Sequence, residues 1–129
     1  MPTAAPVTTQ SGGGAVTGMP PDLSSMTPVE AADRLFNRVM TAVAAGDSTE
    51  AQQFVPMAIA AYDRARPLNT DGLFHLSMLQ RTAMQLEAAL VTAREILEAN
   101  SDHLLGLSAA AKAAVELGRS DIAAAYYER

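Results

Sequence analysis

The stretch LLGLSAAAKAAVELGRSDIAAAYYER, residues 104–129, carries a pattern that runs through most of the chain. Leu107, Ala110, Ala111 and Ala114 recur at helical spacing, so they fall on one face of a helix. Leu117-Gly118-Arg119-Ser120-Asp121 then reads as a stop and a restart. Glycine takes the left-handed closing conformation, and Ser120 can cap the helix that runs from Asp121 to Arg129. Laid over residues 70–95, the same features coincide at one constant offset: Leu73 matches Leu107, Met84 matches Gly118 and Ala89 matches Ala123. A fixed period of about 34 residues marks a repeated helical hairpin.

Composition agrees with this. A chain of 129 residues, 49% hydrophobic and 18% charged, can bury one core and forms a single small domain. Aromatics make up 5%, Trp is absent and Ala is abundant, which suits closely packed helices better than a sheet. The fold class is all-α. A net charge of −5, with nine Lys and Arg spread along the chain, gives no basic stripe for phosphates and excludes nucleic acid as a partner. The absence of Cys removes disulfides, thiol catalysis and thiolate metal sites, and fits the cytosol or a periplasm.

Residues 1–26 read as a disordered linker of Pro, Thr, Gly and Ser that cannot bury enough apolar surface to offset the entropy of ordering. It contains no secretory or membrane-spanning run. Gly12-Gly13-Gly14 is not a phosphate loop, since no strand precedes it and no Gly-Lys-Ser/Thr follows.

The helical domain spans residues 27–129, with units near 28–67, 69–100 and 102–129. Thr27-Pro28-Val29-Glu30 is a capping box with proline at the first helical position. Val29, Ala32, Leu35, Phe36, Val39, Met40 and Val43 then form one apolar stripe that ends before Gly46. Asp47 or Ser48 caps the next helix, with Ala51, Val55, Ala58, Ile59 and Tyr62 inward; Pro56 predicts a kink or break, or alternatively the start of a separate short helix. Asn69-Thr70-Asp71 opens the second unit, whose turn Ala83-Met84-Gln85 lacks the usual Gly. Asn100-Ser101-Asp102 caps the third, which ends with Tyr127 turned inward.

These residues resemble the tetratricopeptide repeat. That pattern places a large residue before a Leu-Gly pair and a Tyr, then an Ala four residues before an aromatic, and closes on Pro. The third unit offers Leu107, Ala110-Ala111, Ala114, Gly118, Ala123 and Tyr127; the second offers Leu73, Leu76-Ser77, Gln80, Ala89, Ala93 and Ser101. The first offers Leu35, Val39, Ala42, Gly46-Asp47, Ala51 and Val55. The departures are the missing Trp, Ala or Ser where Gly is usual, and an overlong step from Gly46 to Met84, which one extra helical turn absorbs. The resemblance implies a right-handed superhelical stack of about three antiparallel hairpins, a TPR-like α-solenoid. It implies a non-enzymatic scaffold or adaptor that binds a peptide or protein segment on its concave face.

In that register Phe36 and Phe74 share one place, and Met40 and Met78 another. An apolar groove with Asp33, Asn37, Asp71, His75, Arg81, Ser108 and Lys112 as its polar surround suits an amphipathic peptide helix. Members of the family that grip a terminal carboxylate use Lys, Arg and Asn there, so Phe and Met argue against that clamp. Core packing is the competing reading of the same rings and thioethers. Other chemistry is thin: His75 and His103 have no second ligand at metal spacing, and the expectation is no metal and no cofactor. Glu95 and Glu98 mark a solvated face, and no nucleophile elbow appears.

The tail before the domain suggests an envelope-tethered scaffold, with a cytosolic chaperone shielding an apolar client segment, or an accessory domain of an enzyme, as alternatives. The last hairpin lacks a polar cover, which suggests continuation or self-association through the C-terminal helix.

Overall fold

The computed structural model describes residues 26–128, and the expected linker lies outside them apart from Met26. Among the described residues the protein is all-helical: α1 Pro28–Ala44, α2 Ser48–Arg64, α3 Thr70–Thr82, α4 Leu86–Ala99, α5 Leu104–Glu116 and α6 Ser120–Tyr127. No strand occurs among those residues. None of these helices is long and apolar enough to cross a membrane.

Three turns of one geometry join the helices in pairs. At each, the backbone passes through the left-handed region: φ is 75° at Gly46, 62° at Met84 and 79° at Gly118. The next amide reaches back to the carbonyl five positions earlier, Asp47 to Ala42, Gln85 to Gln80 and Arg119 to Ala114, each at 2.8 Å. This closure satisfies carbonyls that a helix end would otherwise leave orphaned. Met84 adopts it although it has a side chain, which is 72% exposed.

The helix starts follow the sequence in part. Thr27 and Glu30 form the capping box, Asp47 caps α2, and Asn69 accepts from the Gly72 amide at 2.8 Å. Two expected caps are corrected. At α5 the cap is His103, whose Nδ1 accepts from the Gly106 amide at 3.2 Å, while Asn100 takes the Asp102 amide instead. At α6, Ser120 is already helical and Arg119 holds the cap position without a side-chain bond, because the tight turn places the helix start directly after it. The break expected at Pro56, and the separate short helix, are also overturned: α2 runs through Pro56 unbroken. Pro56 and Gln52 are both exposed, so water can take the carbonyl that proline leaves unbonded. The Arg66-Pro67 peptide bond in the following link is cis.

Packing follows the chain order: α1 lies on α2, α3 on α4 and α5 on α6, with α2 on α3 and α4 on α5 between pairs. The first helices of each pair also meet, α1 with α3 and α3 with α5. One core cluster joins Leu35, Phe36, Val39, Phe54, Ala58 and Tyr62 to Leu76 and Leu79. The second joins Ala89, Leu90 and Ala93 to Ala109, Ala110 and Ala113. Small side chains make the second junction close. A Cβ added at Gly106 would stand 2.6 Å from Cγ2 of Ile96, a stiff, fully buried residue. Tyr127 is corrected as well: it is 63% exposed, and Tyr126 is the ring that packs on the second cluster, its hydroxyl accepting from Arg94 Nε at 3.0 Å.

Thermal melts test both features. Met84→Gly removes the left-handed strain of a side-chain-bearing residue and is expected to stabilise by about 1 kcal/mol. Gly106→Ala, which in an open helix would gain up to about 1 kcal/mol, is expected instead to cost roughly 1 to 2 kcal/mol by overpacking. A lowered midpoint for the first or a raised midpoint for the second contradicts the turn or the junction.

Candidate functional site

The residues expected to line a groove come from α1, α3 and α5, the helices that meet across the pairs. Taken by repeat position they form four rows: Asp33, Asp71 and Leu105; Phe36, Phe74 and Ser108; Met40, Met78 and Lys112; Val43, Arg81 and Val115. In every row the first step, from α1 to α3, is longer than the second by one helical turn.

The structure gives these residues unequal surroundings. Phe36 belongs to the core, 8% exposed. Its ring stacks on the His75 imidazole, with centroids 4.1 Å apart and planes 17° from parallel. Phe74 packs half-buried against the second cluster, and Met40 and Met78 half-buried against the first. Ser108 is half-buried, whereas Asn37, Asp71 and Lys112 are exposed. Arg81 is held by Glu116 of α5, Nε to Oε1 at 3.1 Å and Nη2 to Oε2 at 3.4 Å, and so ties α3 to α5. Val43, Leu105 and Val115 are 49%, 47% and 52% exposed, so the rows present more open apolar surface than the Phe and Met positions alone. Repeat position is the signal that finds them, since each stands where another unit carries an expected groove residue.

Asp33, Phe36 and His75 are brought together, and Tyr62 of α2, read from the sequence only as an inward apolar residue, completes the group. The Tyr62 hydroxyl donates to Asp33 Oδ1 at 2.5 Å and lies 3.0 Å from His75 Nδ1. With its proton on Asp33, the phenol oxygen accepts from Nδ1–H, which fixes the imidazole tautomer. Nδ1 is also 3.4 Å from Asp33 Oδ1. Asp33 of α1, two helices back in the chain, thus supplies His75 with a carboxylate neighbour. Burial, then the hydrogen bond to Asp33 and the charge of its carboxylate, push the Tyr62 phenol far above its ordinary value.

The group ties α1, α2 and α3 together. Tyr62 is fully buried while Asp33 and His75 are partly exposed, and no three His, Asp or Glu side chains converge to hold a metal among the described residues. Elsewhere, Ser77 Oγ donates to the Ala89 carbonyl at 2.9 Å and Thr92 Oγ1 to Gln80 Oε1 at 2.7 Å, buried bonds that fasten α4 to α3. An open cleft of about 330 Å³ lies beside α1, lined by Met26, Glu30, Asp33, Arg34 and Asn37.

No protein-family model matches the sequence, and no curated protein or solved structure matches it significantly.

Removing the phenol oxygen by Tyr62→Phe leaves Asp33 and His75 without their shared partner and is expected to cost about 1 to 3 kcal/mol at pH 7. The folded chain keeps a phenol proton that the unfolded chain releases from about pH 10, so the parent loses stability as pH rises past that point. Urea melts at pH 7 and pH 11 should show the gap between parent and variant narrowing by about 1 kcal/mol. A gap that widens contradicts the assignment.

Proposed function

We propose that the chain is a non-enzymatic protein–protein interaction module, a right-handed superhelical stack of three antiparallel hairpins of the tetratricopeptide kind. Its partner is a peptide or protein segment lying across α1, α3 and α5. One observation carries the reading: three turns share one geometry, and the first helices of the pairs meet one another, α1 with α3 and α3 with α5. Residues at equivalent repeat positions then line up in rows across the three helices.

The floor of such a surface would be Met40, Met78, Val43, Val115 and Leu105, with Asn37, Asp71 and Lys112 at its rim. Thioethers adapt to varied apolar shapes, and a shallow apolar strip with a polar border suits the apolar face of an amphipathic helix. Phe36 supports the strip from below and is not itself a contact.

A photo-reactive residue placed at Val115 should capture the partner in extracts of the native host, whereas one at Val91, exposed on α4, should not. Val43→Glu combined with Val115→Glu should abolish capture while moving stability by no more than about 0.5 kcal/mol each, since both sites are exposed. Equal capture from Val91, or capture that survives both substitutions, contradicts the reading.

A further inference from the structure

The rows across α1, α3 and α5 carry charge of opposite sign at opposite ends. The first row opens on Asp33 and Asp71, and the third, after Met40 and Met78, closes on Lys112. Arg81, the remaining charged side chain of the rows, is held by Glu116. Asp71 and Lys112 are exposed, and neither has an ion pair among the described residues. The Asp33 carboxylate accepts from Tyr62, and its side chain stays 45% exposed.

Position within its own helix accounts for one of these charges and not for the other. Asp71 lies in the first turn of α3, where a helix favours an anion. Lys112 stands in the interior of α5, and the acid one turn beyond it, Glu116, is already bound to Arg81. Lys112 is seven positions beyond Leu105, the α5 counterpart of Asp71. Seven positions rise about 10 Å and packed helices lie about 9 Å apart, so the two charges stand roughly 14 Å from each other. A segment covering the apolar strip shields both from water, and matching charges on it favour one partner over another.

We propose that the segment lying across α1, α3 and α5 is an amphipathic helix with opposite charges at the edge of its apolar face: Lys or Arg against Asp71, and Asp or Glu against Lys112. On a helix, the spacings that bracket roughly 14 Å and return to the same face are about seven and about eleven residues, and long side chains take up the difference. This pairing rests on the interaction surface proposed above and adds the chemistry of its occupant. A segment basic at both places would set like charges together at Lys112, and one acidic at both would do so at Asp71 and Asp33.

The probes are three synthetic helices of Leu, Ala and Gln with one apolar face, identical except at two positions about eleven residues apart, which are Lys and Glu, both Lys, or both Glu. Fluorescence anisotropy against the full chain should rank the Lys/Glu helix first and the others roughly twofold to fivefold weaker, the range of an exposed ion pair. The ranking should fade as salt screens the charges. Lys112→Glu should raise the Lys/Lys helix above the Lys/Glu helix, and Asp71→Asn should narrow the gap between the Lys/Glu and Glu/Glu helices. Three helices that bind alike, at a site that Val43→Glu with Val115→Glu abolishes, overturn the charge pattern and leave the surface standing. Helices that do not bind, or that bind this double variant equally well, overturn the surface and the charge pattern with it. So does a chain that self-associates through Val43 and Val115 in the absence of any probe, since a second copy would then be the occupant.

Discussion

The hydroxyl of Tyr62 fixes the arrangement of three helices at once. It lies fully buried on α2, donates to Asp33 of α1 and faces His75 of α3, whose ring is stacked against Phe36. A buried hydroxyl without partners would be costly, so the second pair of helices is held where His75 can meet it. The same placement sets Leu76 and Leu79 against Val39 and Ala58 in the first core cluster. Packing by apolar side chains alone tolerates small slides; a hydrogen-bonded group with few acceptable geometries does not.

The second junction is fixed by shape instead. Between α4 and α5 the contact residues are mainly Ala and Gly, and Gly106 has no room for even one more carbon beside Ile96. Ser77 and Thr92 add buried hydrogen bonds within the preceding pair, one to a carbonyl and one to the Gln80 side chain. The molecule therefore joins its helix pairs by two means: a polar lock at the first junction and close-fitting small residues at the second. The three turns, alike in φ and in their closing bonds, deliver each pair to its junction in a similar way.

Much of this is legible in the sequence where the physics is local. Thr27 to Glu30, Gly46, Gly118 and the buried alanines at 89, 93, 110, 111, 114 and 123 carry their roles in their own spacing. What the sequence hides depends on partners far along the chain. Nothing near His75 announces Asp33, and Tyr62 reads as apolar filler until its hydroxyl is given neighbours from α1 and α3. Tyr127 reads as inward because it follows Ala123 by four residues, as the aromatic of the repeat pattern does; yet Ala93, at the same repeat position, is packed against α5, while Tyr127 is exposed and Tyr126 is the ring that packs on the second cluster. Val43 and Val115 sit on an apolar stripe and yet emerge half-open, because a stripe specifies a direction and only the neighbouring helix decides whether it is filled. His103 caps α5 through a ring nitrogen, a role that the commoner capping residues just before it obscure.

Whether the pairs of helices dock as one stack is tested most directly by the nuclear Overhauser spectrum of the full chain. A docked stack gives cross-peaks between the ring protons of Phe36 and His75, and between the methyl groups of Leu90 and Ala93 and those of Ala109 and Ala113. Cross-peaks confined to contacts within each pair, with none between Phe36 and His75, would mean that the pairs fold beside one another without the lock at Tyr62, and would contradict the stack.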